Sequence, residues 1–137
     1  MVATIMQMLA ANGDVRMVIK EFPILSQSSV TAAKAGIADQ KQGKFKSFHT
    51  KMMTYRGQVN DASIMQAAGA AGLDLAQLKQ DMDSPETTAI ITRTRSAAAA
   101  LSINGTPGLV IGDTVIPGAI GMEELQTVID KERAKQG

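Results

Sequence analysis

Chemistry on a protein needs nucleophiles, titratable groups or metal ligands at workable spacing, and this chain of 137 residues offers few. Cysteine is absent, which excludes disulfides, thiolate nucleophiles and thiolate metal sites from these residues. His49 is the single histidine, and no serine–acid pair stands at a recognisable spacing to recruit it; a helix core or surface position is expected. Asp81, Asp83 and Glu86 cluster near a helix start without the alternating oxygens and glycine of a calcium loop, so they read as capping and solubilising groups. Met1, Met6, Met8, Met52 and Met53 fall mostly on apolar helical faces and read as packing rather than as soft-metal ligands. Gly105, Gly108 and Gly112 are too irregular for a phosphate cradle and follow a helix instead of a strand. This inventory predicts no catalytic residue, no metal site and no cofactor.

The stretch 104–118 carries more information. Two short apolar runs, Leu109–Ile111 and Thr114–Ile116, flank Gly112-Asp113, the two-residue spacer of a tight antiparallel hairpin. Thr106-Pro107 stands between Gly105 and Gly108 just ahead of it. An X-Pro bond can be cis at modest cost, and a cis bond there makes a corner whose preceding residue keeps its amide and carbonyl free for an extended peptide. An ordinary trans proline in a loop is the other reading of the same residues.

The rest of the chain supplies elements to hold that corner. Val2, Ile5, Met6 and Leu9 recur at helical spacing, and Asn12-Gly13 is a stop, which predicts a helix over 1–11. Residues 15–22 are mostly apolar and rich in β-formers, the pattern of a strand buried on both faces; Pro23 ends it. Six further helices are predicted, each with its own signal. One runs from a polar start at 26–29 to about Gln42, with Val30, Ala33 and Ile37 inward. The next, after Gly43, places Phe45, Phe48, Met52 and Tyr55 on one stripe. The third is capped by Asn60-Asp61, and the fourth covers 74–82 with Leu75 and Leu78 inward. Ser84-Pro85-Glu86 then opens a long helix to Leu101 with Ile90, Ala97 and Leu101 aligned. A last helix has Met122, Leu125, Val128 and Ile129 on one face, acids in its first turn and bases toward its end.

Composition bounds the rest. The length suits one domain; 45% apolar, 20% charged and a net charge of +1 suit a soluble globular protein with no pull toward nucleic acid. With 3% aromatics and nine methionines, the core must be aliphatic and Ala-packed. No run is long and apolar enough to span a bilayer, and residues 1–11 lack the basic start of a signal peptide. Lys34, Lys41, Lys44, Lys46, Lys51 and Arg56 meet only Asp39 as an opposing charge, which reads as a solvated basic helix face.

Gly105-Thr106-Pro107, the hairpin, Pro117-Gly118-Ala119 and the last helix resemble the carboxy-terminal half of the DsbA-like thiol–disulfide oxidoreductases, a thioredoxin-fold family. Lys20-Glu21-Phe22-Pro23-Ile24-Leu25, the Ala-rich helix, Gly43-Lys44-Phe45 and Phe48-His49 resemble its middle. The resemblance implies an α/β thioredoxin-like fold with a core of 1–25 and 103–137 and a helical insertion of 26–102. It implies a cis Pro107 and a Thr106 that, with Gly105, offers backbone to a bound peptide. It also implies a periplasmic or other extracytoplasmic setting.

Two departures matter. The family's reactive Cys-x-x-Cys is missing, so the chain is expected to be redox-inactive as given, with a non-enzymatic peptide-binding or self-assembling module as the alternative. The family's first core strand is missing too, and it would lie between 15–22 and Leu109–Ile111. Those segments could close up and pair, a strand could come from another chain to give a homo-oligomer or strand exchange, or a longer protein could supply it.

Overall fold

Seven helices and one hairpin make the regular structure of residues 2–137, which the computed structural model describes. In chain order they are α1 (Val2–Ala11), α2 (Gln27–Ala38) with a 3₁₀ turn Asp39–Gln42, α3 (Phe45–Thr54), α4 (Asp61–Ala70), α5 (Leu75–Met82), α6 (Pro85–Ala100), β1 (Leu109–Ile111), β2 (Thr114–Ile116) and α7 (Met122–Gln136). Met1 lies outside the described residues, so the start of the first predicted helix is not placed. Two compact units divide the chain: Lys20–Ala97, and residues 2–19 with Ala98–Gly137.

In the unit Lys20–Ala97, side-chain caps set where helices begin. Ser26 Oγ accepts the Ser29 N–H at 3.2 Å, and Asp74 Oδ1 accepts the Gln77 N–H at 3.0 Å. Asn60 and Ser63 cap reciprocally: Asn60 Oδ1 accepts the Ser63 N–H at 2.9 Å and Ser63 Oγ accepts the Asn60 N–H at 3.0 Å. Phe48, Ile64 and Leu78 are the large fully buried side chains of the core, closed by Ala35, Ala38 and Ala68, whose small size lets the helices approach. A second cluster joins Ala33, Ile37 and Ile91.

The helices depart from their sequence patterns at several positions. Leu75 is exposed at the start of α5 while Leu78 is buried, and Tyr55 lies past the end of α3 in solvent. The buried stripe of α6 is Thr87, Ile91, Thr94 and Ala98, whereas Ala97 and Leu101 are exposed. Threonine can occupy that stripe because its hydroxyl finds backbone: Thr87 donates to Asp81 O at 2.7 Å and Thr94 to Ile90 O at 3.1 Å. Asp39 is buried and is no part of a surface charge balance; Lys41 instead pairs with Asp81 at 3.2 Å and Glu86 at 3.3 Å.

The second unit is built on the hairpin. β1 and β2 pair antiparallel with Leu109 opposite Ile116, Val110 opposite Val115 and Ile111 opposite Thr114. Leu109 and Ile111 face Met8 of α1 and Leu125 and Ile129 of α7. Asn12 joins the two helices: its amide donates to Met8 O (2.9 Å) and Gln126 Oε1 (2.7 Å), and its oxygen accepts from Gln126 and Arg133. The turn is clamped from α7. Buried Glu132 accepts the Thr114 hydroxyl at 2.8 Å and the Asp113 N–H at 3.4 Å, and Lys135 at 2.7 Å neutralises it. Gly112 takes φ +55°, and a Cβ there would fall on the Glu132 carboxylate.

Residues 15–22 form no strand, contrary to the sequence pattern. Val15, Met17 and Ile19 are half-buried and alternate with exposed Arg16, Val18 and Lys20, so the two-residue period survives without a ladder. The sheet contains β1 and β2 alone. A strand exists only by exchanging backbone hydrogen bonds with a neighbour, and no described segment is placed to exchange them.

Replacing Phe48 by Ala should cost about 3–5 kcal/mol in denaturant unfolding, the range for emptying a buried aromatic site. Gly112→Ala should cost about 1–3 kcal/mol, from a strained positive φ plus the collision with Glu132. Lys135 first, then Thr114, hold the Glu132 carboxyl below the usual range, so its stabilisation is present above the ordinary glutamate value and is lost on acidification. Melting curves from pH 6 to pH 3 should therefore fall less steeply in Glu132→Gln than in the parent.

Candidate functional site

The corner at Thr106 is positioned by the way α6 ends. Ser102 adopts φ +56°, its N–H donates to Ala99 O at 3.1 Å, and the Ile103 N–H donates to Ala98 O at 2.8 Å. This pair of backward bonds closes the helix and turns the chain. Ile103 then packs so closely on Gly108 that a Cβ there would come within 2.8 Å of Ile103 Cγ2. Only a residue without a side chain fits, and residues 104–107 are folded out between these two contacts.

The Thr106–Pro107 peptide bond is cis. Thr106 and Pro107 are exposed and Gly105 is half-buried. Among the described residues, the backbone groups of Gly105 and Thr106 make no hydrogen bond. The outward face of the adjoining hairpin is apolar: Val110 is 52% exposed and its cross-strand partner Val115 is 36% exposed. The result is an accessible run of free backbone donors and acceptors beside an apolar ledge, the chemistry that takes an extended chain.

The remaining candidates fall elsewhere. In the unit Lys20–Ala97, His49 stacks on Phe45 with ring centroids 5.2 Å apart at 23°, and burial holds its imidazole below the usual value. Asp81 accepts from Gln77 and Lys41 and lies under the start of α6. Among the described residues, no three His, Cys, Asp or Glu side chains are grouped to hold a metal ion. The closing bonds at Ser102 and the clamp by Glu132 escaped the sequence, because Ser at positive φ has no compositional signal and Glu132 reads as one more acid on a charged helix.

The description "DSBA-like thioredoxin domain" matches residues 1–130. Among solved structures, a thioredoxin-like oxidoreductase from Silicibacter pomeroyi DSS-3 is 37% identical with a TM-score of 0.95, over 97% of this chain and 77% of that one. A periplasmic thioredoxin-like protein from Salmonella enterica serovar Typhimurium is 27% identical with a TM-score of 0.82, over 97% and 75%. The thiol–disulfide exchange protein alpha-DsbA2 from Wolbachia pipientis is 26% identical with a TM-score of 0.84, over 94% and 71%. No curated protein matches the sequence. A small antiparallel hairpin ahead of a last helix and behind a helical unit is thus the thioredoxin-like arrangement, and the chain belongs to the DsbA-like thioredoxin domain family.

Proposed function

We propose that these 137 residues are a redox-inactive member of the DsbA-like family whose corner at Gly105, Thr106 and Pro107 docks extended peptide. The observation that carries the first half is the lack of any cysteine in a family that works by thiol–disulfide exchange. Exchange begins when a thiolate attacks a disulfide sulfur, and no other side chain here substitutes for it. Supporting the second half are the unbonded backbone of Gly105 and Thr106 and the exposed Val110 beside them. An extended chain laid there would gain main-chain hydrogen bonds, with Thr106 as the contact residue. The family setting supports a periplasmic or other extracytoplasmic location. The proposed arrangement is one thioredoxin-like domain, with 1–25 and 103–137 as its core and 26–102 as its helical insertion.

A second reading, self-assembly by strand pairing, is favoured by one feature. Residues 16–22 make no backbone–backbone hydrogen bond among the described residues, and Val18 is 60% exposed. Such an edge is a template for a strand from a second copy.

The chain should show no reduction of insulin disulfides above the uncatalysed rate; measurable turnover contradicts the redox-inactive reading. Thr106→Arg should weaken binding of an extended cysteine-free peptide at least about tenfold, while stability stays within about 0.5 kcal/mol as for other surface changes. Equal affinity in the variant would overturn the docking corner. Light scattering should report a dimer or larger species, and a strictly monomeric protein would remove the second reading.

A further inference from the structure

Asp39 stands apart from every other buried polar side chain. It is fully buried at the end of α2, and neither of its carboxyl oxygens has a hydrogen-bond partner among the described residues. Asn12, Ser63, Asp81, Thr87, Thr94 and Glu132, also buried, are all hydrogen-bonded. An ionised carboxylate with no partner in an apolar site is costly, and the usual escape is a proton.

A second carboxyl lies beside it. Glu21, on the extended segment after residue 19, rests against α2 one turn earlier: its Oε1 is 2.9 Å from where a Cβ on Gly36 would be. Gly36 and Asp39 are three residues apart and so share one face of the helix end. The missing side chain at Gly36 makes the room that Glu21 occupies. The segment is fixed at one further point, where Arg95 donates to Pro23 O at 3.2 Å.

We propose that Glu21 and Asp39 form a proton-operated latch, holding residues 20–25 on α2 while the pair keeps a proton and loosening them when it is lost.

The charged surroundings leave the pair to itself. On the 3₁₀ turn, Lys41 is engaged by Asp81 of α5 and Glu86 of α6. Lys34 of α2, Lys44 ahead of α3, and Lys46, His49 and Lys51 of α3 make no ion pair or hydrogen bond with the carboxyl of Asp39. Lys79 of α5 and Arg93 and Arg95 of α6 make none either. Burial first, and the charge of Glu21 second, push the Asp39 carboxyl up to about 7; burial raises Glu21 as well. A carboxyl raised on folding binds more protons in the folded chain, so stability falls as pH rises from the ordinary aspartate value through about 7 and is flat beyond. His49 acts with the opposite sign below its ordinary value, because burial lowers it.

The test is a ¹³C NMR titration of the Asp39 carboxyl in the unaltered chain, with melting temperatures from pH 5 to 8.5. The carboxyl should titrate near 7, and amides of residues 20–25 should lose hydrogen-exchange protection above that pH. Asp39→Asn should shrink the alkaline fall in melting temperature, leaving the smaller fall due to Glu21 and the shallow rise due to His49. Glu21→Gln, at a half-buried position, should weaken proton affinity at Asp39 about tenfold while the titration persists. Titration of Asp39 near the ordinary aspartate value, an unchanged alkaline fall in Asp39→Asn, or protection of 20–25 independent of pH would overturn the latch.

Discussion

A two-stranded antiparallel hairpin is not stable alone in water, and the corner at Thr106 hangs from one. Everything in that unit follows from covering the hairpin's inner face. Met8, Leu125 and Ile129 supply apolar cover for Leu109 and Ile111. Glu132 holds the turn by accepting from Thr114 and Asp113, which leaves no room for a side chain at Gly112. Asn12 then couples α1 to α7 through a bonded amide, so the two covering helices keep one register. With the hairpin fixed and α6 closed at Ser102, the five residues between Ile103 and Leu109 have little freedom to place Thr106 elsewhere.

What the sequence makes legible are features whose cause is local. Caps at Ser26, Asn60, Asp74 and Ser84 begin helices because each side-chain oxygen satisfies an orphan backbone N–H three residues on. The hairpin was legible because two residues, Gly112 and Asp113, separate two β-forming runs. The last helix was legible from its face, since Leu125 and Ile129 are buried as their spacing requires. Features that depend on a partner elsewhere were not legible. Residues 15–22 have the composition of a strand, but a strand is a relation between two segments, and alternation of burial is all that survives here. Likewise the inward stripe of α6 went to Thr87 and Thr94 because backbone carbonyls were at hand to accept their hydroxyls. Hydropathy alone had favoured Ala97 and Leu101. Asp39 was read as surface charge because nothing local marks it as buried.

The family and its chemistry separate at one element. Membership rests on the order and shape of the whole chain, whereas disulfide exchange rests on cysteine thiols that these residues do not contain. The scaffold around the corner does not depend on cysteine: its packing is aliphatic, its turns are closed by backbone bonds, and its clamp is a carboxylate. The corner at Gly105, Thr106 and Pro107 can therefore keep its shape without cysteine.

The most direct test is a titration of the ¹⁵N-labelled chain with an extended, cysteine-free peptide, following backbone amide shifts. Saturable shifts are expected at Gly105, Thr106, Gly108, Leu109 and Val110, with the amides of α5 unmoved. Amides at the corner that stay unshifted at saturating peptide, or shifts confined to other surfaces, would contradict docking there.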